Sequence, residues 1–256
     1  MRVTTLMPLG AVVEAMSVDA LDPGGVDELR KLLGEHGVLV FRDRDADDAA
    51  FVRFLRSFGA LMFTTGETPV EGFGDLNVVS NVGRETPPKS TFHVDTTYVR
   101  NPPAYTALRA VEVPEIGGQT LFSNQYRAYD TLPEDRRRQV EGRTIRHVVT
   151  GVELSDGDET SAVHPMVRRH PVTGRRALYL SSPARCASVS GLTDEEGRAL
   201  VEYLVGHSTR SDNVLRHKWA AGDVVMWDNR CVMHKADHTG VVGNRVMHRG
   251  MVADID

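Results

Sequence analysis

The sequence predicts an α+β fold that is mainly β: a double-stranded β-helix (jelly roll) core with flanking helices. Two observations point there. Short apolar runs bounded by Pro, Gly and Asn recur along most of the chain, and helical periodicity is confined to three stretches. Many short strands with a few helices outside them fit two packed sheets better than a doubly wound parallel sheet.

In chain order, the first helix is read over 24–36, where Val26, Leu29, Leu32 and Leu33 recur at helical spacing and Gly37 stands ready to end it. A short strand over 38–41 follows. Asp45, with Asp48 three residues on, is placed to cap a second helix whose Phe51, Phe54, Leu55 and Phe58 form one apolar stripe before Gly59. Strands are expected at 76–79, 105–113, 144–149, 162–167, 177–180, 224–227 and 245–252, separated by turns such as Pro171-Val172-Thr173-Gly174. Thr193 and Glu196 form a capping box that opens a third helix, with Leu200, Tyr203 and Leu204 toward the core. Between 63 and 92 the chain is rich in Gly, Pro, Thr and Glu, so part of it is expected to be a mobile loop over a site.

With 256 residues, 41% hydrophobic and 25% charged, the chain can bury one sizeable core, and without a repeat, low-complexity run or linker it reads as a single domain over 1–256. The 35 acidic and 30 basic residues are dispersed and leave a formal charge of -5, with no basic block to follow a phosphate backbone. Nucleic acid is not an expected partner. Cys186 and Cys231 are too few for a disulfide framework and lack zinc-site spacing, which suggests reduced thiols in a cytosolic protein. No stretch approaches the roughly 18 apolar residues of a membrane span, so a soluble, cytoplasmic protein is expected.

The chemistry concentrates in two places. In Phe92-His93-Val94-Asp95-Thr96 an imidazole and a carboxylate stand two residues apart, so in extended backbone both project from one face toward one ion. His234, 141 residues downstream (234 − 93), could supply a third ligand. Two histidines and one carboxylate leave open positions on a metal, as non-haem Fe(II) oxygenases require. On spacing alone the signal is weak, since His-x-Asp arises by chance in many proteins. Near the C-terminus, Arg245 and Arg249 share a face of an extended strand, with Met247 between them. If that face is the core side, each guanidinium must meet an anion, such as a cosubstrate carboxylate at one and an anionic substrate group at the other. If it faces outward, both are solvated. Periodicity leaves both arrangements open.

Taken together, these residues resemble the taurine and 2,4-dichlorophenoxyacetate dioxygenases, a family of Fe(II)/2-oxoglutarate jelly-roll oxygenases. The motifs, in order, are Phe92-His93-Val94-Asp95-Thr96-Thr97-Tyr98 with Asn101-Pro102-Pro103, Gly117-Gly118-Gln119-Thr120-Leu121-Phe122, the segment 164–175, Gly222-Asp223 through Trp227-Asp228-Asn229-Arg230 to His234, and Arg245-Val246-Met247-His248-Arg249. The match spans nearly the whole chain. The resemblance implies that His93, Asp95 and His234 bind Fe(II), that Arg245 and the Thr120 hydroxyl hold the distal carboxylate of 2-oxoglutarate, and that Arg249 holds an acidic group of the substrate. It also implies O2 as second cosubstrate, and a dimer or tetramer as oligomeric forms common among relatives.

Departures from the pattern concern the substrate. Where taurine enzymes carry a histidine and a tyrosine after the second helix, this chain has Met62-Phe63-Thr64-Thr65-Gly66-Glu67, which argues against taurine. Lys89 and Tyr98 are candidate substrate contacts, and Glu67, if it turns inward, would favour a substrate amine. His238 reads first as a loop histidine, Trp227 as core and Asn229 as a turn residue. The resemblance places His164 and His170 outside the metal's first coordination shell. The expected reaction is oxidation of an unactivated C–H bond of a small anionic metabolite, hydroxylation above all, with release of succinate and CO2. Desaturation, cyclisation or oxidative cleavage are other outcomes of the same chemistry, whereas retention of Asp95 argues against halogenation. Two readings of a different class are a catalytically silent jelly roll, which predicts a missing ligand or arginine, and a metal hydrolase, which requires neither Thr120 nor Arg245.

Overall fold

The computed structural model describes residues 1–16, 18, 21–42, 46–84, 90–151 and 154–254. The chain opens with β1 (Arg2–Thr5), β2 (Ala11–Glu14), α1 (Pro23–His36), β3 (Val38–Arg42) and α2 (Asp48–Phe58). There follow β4 (Leu61–Met62), β5 (Pro69–Val70), β6 (Phe73–Ser80), β7 (Pro103–Glu112), β8 (Thr120–Asn124), α3 (Gln125–Asp130) and α4 (Glu134–Val140). Next come β9 (Thr144–Val148), β10 (Ser161–Pro165), β11 (Val167–Arg169), β12 (Arg176–Leu178), β13 (Cys186–Val189) and α5 (Asp194–Ser208). The chain closes with β14 (Val214–His217), β15 (Asp223–Asp228), β16 (Val232–Ala236) and β17 (Val246–Ala253).

These strands build a jelly roll. The large sheet runs β1-β2-β3-β15-β7-β17-β6-β5, with β4 beside β17; β2 and β3 pair in parallel and the other described pairs are antiparallel. Opposite lies the smaller sheet β14-β8-β16. Between the two sheets Val40, Leu108, Val225, Trp227 and Met247 pack against Phe122 and Val232 in one buried cluster. The outer face of the large sheet is covered by α1 and α2, whose Leu29, Leu33, Phe51, Phe54 and Phe58 meet Leu39, Phe41, Tyr105 and Met226. The other side of the smaller layer packs Met233 with residues of α5 and of β9 to β13.

Local rules account for the helices. Asp22 caps α1 by accepting from Gly25 N, and Gly37, at φ 76°, ends it in a backbone region that disfavours a side chain. The cap of α2 is Asp47, which accepts from Ala50 N; Asp45 lies outside the described residues. The capping box of Thr193 and Glu196 forms as expected at α5. Tyr203, expected in the core, is instead 36% exposed, with the Arg136 guanidinium 4.5 Å from its ring centroid. The strand expected over 162–167 is two strands, because the chain changes partners at Met166: its N–H bonds Arg143 O on the β9 side, and its carbonyl accepts from Tyr179 N beyond β12. No helix among the described residues is long and apolar enough to cross a membrane.

Candidate metal centre

His234 lies on β16, and His93 reaches it through backbone pairing alone. His93 N donates to His234 O at 3.0 Å and His234 N donates to His93 O at 2.8 Å, an isolated bridge that sets the two rings 4.4 Å apart. The extended backbone expected through Asp95 stops there. Asp95 opens a turn, and Thr96 adopts φ 49°. The carboxylate nonetheless arrives beside both rings, 3.6 Å from His93 Nε2 and 3.8 Å from His234 Nε2, so the three ligand atoms lie within 4.8 Å of one another. His93 Nδ1 stands 2.8 Å from Thr91 O; since a carbonyl only accepts, Nδ1 carries the proton and Nε2 keeps its lone pair for a metal. His234 Nδ1 is buried and has no hydrogen-bond partner among the described residues.

A buried relay orients the carboxylate. Thr106 Oγ1, on β7, donates to Asp95 Oδ2 at 2.8 Å and accepts from Asn229 Nδ2 at 2.8 Å, while Asn229 Oδ1 accepts from Trp227 Nε1 at 3.1 Å. The Trp227 ring also packs 4.5 Å from that of His234. Trp227 and Asn229 are thus more than core and turn residues. Thr106 escaped the sequence reading because a threonine in a strand is ordinary. Burial alone would raise the Asp95 carboxyl, but His234, the His93 hydrogen bond and Arg249 outweigh it and hold the group well below the usual carboxylate range. Burial pushes the His234 imidazole down to about 3. An ionised carboxylate beside a neutral imidazole is the donor set a divalent metal requires.

Of the two arrangements left open for the arginines of the C-terminal strand, the core-side one is found. Arg245, just before β17, is 1% exposed, donates through Nε to Gly118 O at 2.9 Å, and places Nη2 3.3 Å from Thr120 Oγ1 on β8. Among the described residues no carboxylate lies within ion-pair distance of it, and burial alone lowers its guanidinium to about 10. A buried cation without an anion is costly, so this side chain suits a ligand carboxylate. Gly118, at φ 68°, makes the fit possible: a Cβ there would meet Pro114 at 2.6 Å and Arg245 at 3.2 Å. Thr120 Oγ1 also accepts from Trp219 Nε1 at 3.1 Å, which leaves its hydroxyl hydrogen free to donate to an anion. Trp219 had no signal in the sequence reading.

Arg249 donates to Glu67 Oε2 and stands 3.7 Å from Asp95 Oδ1. Glu67 has therefore turned inward. One cavity of about 360 Å³ is lined by Glu67, His93, Thr120, His234, Arg245 and Arg249, and also by His238, so the loop histidine belongs to the cavity wall. Tyr98 does not line that cavity; it sits half-buried in the turn after Asp95, where burial and then the Glu67 charge raise its hydroxyl. Lys89 lies outside the described residues.

A second cluster, His170, Asp228 and Cys231, has metal-like spacing but is fully committed to the protein. His170 Nδ1 accepts from Val172 N and Thr173 N, and Nε2 donates to Asp228 Oδ2 at 2.9 Å. Both Asp228 oxygens also accept from Arg230. Cys231 Sγ donates to Asp228 O at 3.7 Å. His164 Nε2 donates to Thr97 O and Val99 O and so braces the turn that carries Asp95.

The description "Taurine catabolism dioxygenase TauD, TfdA family" matches residues 2–251. The chain belongs to this family. Among its relatives, the alpha-ketoglutarate-dependent 2,4-dichlorophenoxyacetate dioxygenase of Cupriavidus pinatubonensis is 32% identical over 263 residues, covering 92% of this chain and 91% of the relative. A taurine dioxygenase from Burkholderia xenovorans superposes with a TM-score of 0.85 at 33% identity, over 99% of this chain and 91% of the other. AAD-2, solved with Mn(II) and N-oxalylglycine, superposes with a TM-score of 0.87 at 27% identity, over 100% and 98%. The chain is accordingly a 2-oxoglutarate-dependent non-haem iron dioxygenase, and the family implies Fe(II), 2-oxoglutarate and O2. The donor set fits Fe(II), and the buried Arg245, with no carboxylate partner among the described residues, fits 2-oxoglutarate.

Proposed function

We propose that the enzyme oxidises an unactivated C–H bond of a small anionic metabolite by hydroxylation. In this reading His93, Asp95 and His234 hold Fe(II), Arg245 and Thr120 hold the distal carboxylate of 2-oxoglutarate, and Arg249 holds the substrate anion. The bound metal with 2-oxoglutarate and O2 supplies the oxidising power and releases succinate and CO2. The chain's own residues do the positioning. Thr106 and Asn229 fix the carboxylate face of Asp95, Trp227 walls the His234 side, and the Arg245 fork anchors the cosubstrate at one end.

The observation that carries this reading is one cavity lined by His93 and His234 of the three-ligand cluster and by a buried guanidinium that lacks a carboxylate partner among the described residues. A hydrolase would need the first but not the second, and a silent relative would have lost part of one. AAD-2, solved in complex with Mn(II) and N-oxalylglycine, supports a divalent metal and a small carboxylate ligand as the groups such a fold takes. The test is succinate formation from 2-oxoglutarate with a panel of small carboxylates, sulfonates and phosphonates. Turnover that needs Fe(II) and O2 and yields one succinate per oxidised substrate supports the proposal; substrate conversion that continues without O2 overturns it in favour of hydrolysis.

A further inference from the structure

Arg249, the expected anchor for a substrate anion, is already neutralised within the chain. Its Nη2 bonds Glu67 Oε2, and its Nη1 stands 3.7 Å from Asp95 Oδ1. A simple monoanion docking there would bring a third carboxylate or sulfonate around one guanidinium, with Glu67 on the cavity wall to repel it. The pair nevertheless keeps hydrogen-bonding capacity: Arg249 Nε has no hydrogen-bond partner among the described residues. Glu67 uses Oε2 for the pair and keeps 29% of its side chain accessible. The Arg249 guanidinium and the Glu67 carboxylate, of opposite charge, thus line the same cavity.

We infer that Glu67 sets substrate specificity, and that the substrate is a zwitterion whose anion takes the Arg249 guanidinium while its ammonium group takes Glu67. This rests on the role proposed above for Arg249 and adds a cationic group to the substrate. Such a ligand supplies a counter-charge to each member of the pair, whereas a simple anion must displace Glu67 or accept its repulsion. Glu67 has the local freedom to receive a ligand, because it follows Gly66, at φ 85°, in the turn between β4 and β5.

The experiment is anaerobic calorimetry on protein loaded with Fe(II) and 2-oxoglutarate, using matched probes at millimolar concentration. The pairs are β-alanine against propionate, 2-aminoethanesulfonate against ethanesulfonate, and a series of α-amino acids against their 2-deamino acids. At least one zwitterion should bind the wild type about ten-fold or more tighter than its deaminated partner, as expected for leaving a buried charge unpaired. Glu67→Gln should reverse that order, weakening the zwitterion and strengthening the simple anion. Wild type that binds no zwitterion, or that prefers the deaminated member, overturns the inference, as does a preference unchanged in Glu67→Gln. The absorption of the 2-oxoglutarate chelate, recorded in each sample before titration, separates the two claims. Its absence contradicts the function proposed above; its presence without a zwitterion preference contradicts only the role of Glu67.

Discussion

The Thr106 hydroxyl stands between Asp95 and Asn229, donating to one and accepting from the other. Thr106→Val keeps the branched shape, deletes both bonds, and strands the Asn229 amide and one Asp95 oxygen in a buried setting. The expected result is Fe(II) affinity weaker by about 10- to 100-fold, the usual effect of losing a partner that orients a metal ligand. A stability loss of about 1–3 kcal/mol should accompany it. Competition titration against a chromophoric chelator reads the first and urea denaturation the second; unchanged metal affinity would show that the relay does not orient Asp95. Residues of this kind are poorly legible in sequence. His93, Asp95 and His234 stand out because their side chains bind metals, whereas Thr106 and Trp219 become visible only when the fold places their hydrogen bonds.

Strand β17 shows how one element serves two layers. Its inward face carries Met247 and Arg249, continuing from Arg245, while Gly250 points outward beneath α2. A Cβ at Gly250 would stand 2.2 Å from Leu55 Cδ1 and 3.1 Å from Leu76 Cδ2, so the helix approaches the sheet only because the side chain is missing. Gly250→Ala should cost about 1–3 kcal/mol by overpacking. Urea denaturation would show this, and a variant as stable as wild type would mean that α2 shifts freely. Elements with one-sided packing were legible from periodicity: α1, α2 and α5 carry clear stripes and caps. The α2 cap was misplaced by two residues because Asp43, Asp45, Asp47 and Asp48 crowd one segment and each can cap. The strands β8, β14 and β16 were missed, since Thr, Ser, His and Lys at positions near the site blur their alternation. Helices α3 and α4, at 6 and 7 residues, are too short to show a period.

Across the whole molecule, the jelly roll brings together ligands that lie far apart in sequence, and the same close packing buries titratable groups away from the site. His147 on β9 is fully buried, neither ring nitrogen has a hydrogen-bond partner among the described residues, and burial, then His164 and Arg168, push its imidazole down to about 3. The native state holds it neutral, whereas the unfolded chain protonates it near its ordinary value of about 6.5. Between those values the unfolded state binds more protons, so stability rises with pH across the window and is lost as pH falls through it. His147→Phe should keep the ring contacts with His164 and Tyr179 and remove on the order of 3 kcal/mol of the acid loss by pH 4. Denaturation curves from pH 7 to about 4 would show parallel acid limbs if the histidine is not held neutral. The central claim is that Arg245 anchors 2-oxoglutarate beside the His93, Asp95 and His234 centre. Anaerobic titration of the Fe(II)-loaded protein with 2-oxoglutarate, following the visible charge-transfer band of the chelate, tests it most directly. The band should form in wild type and require far more cosubstrate in Arg245→Ala, with metal binding retained; no band in iron-loaded wild type, or an unchanged titration in the variant, would contradict it.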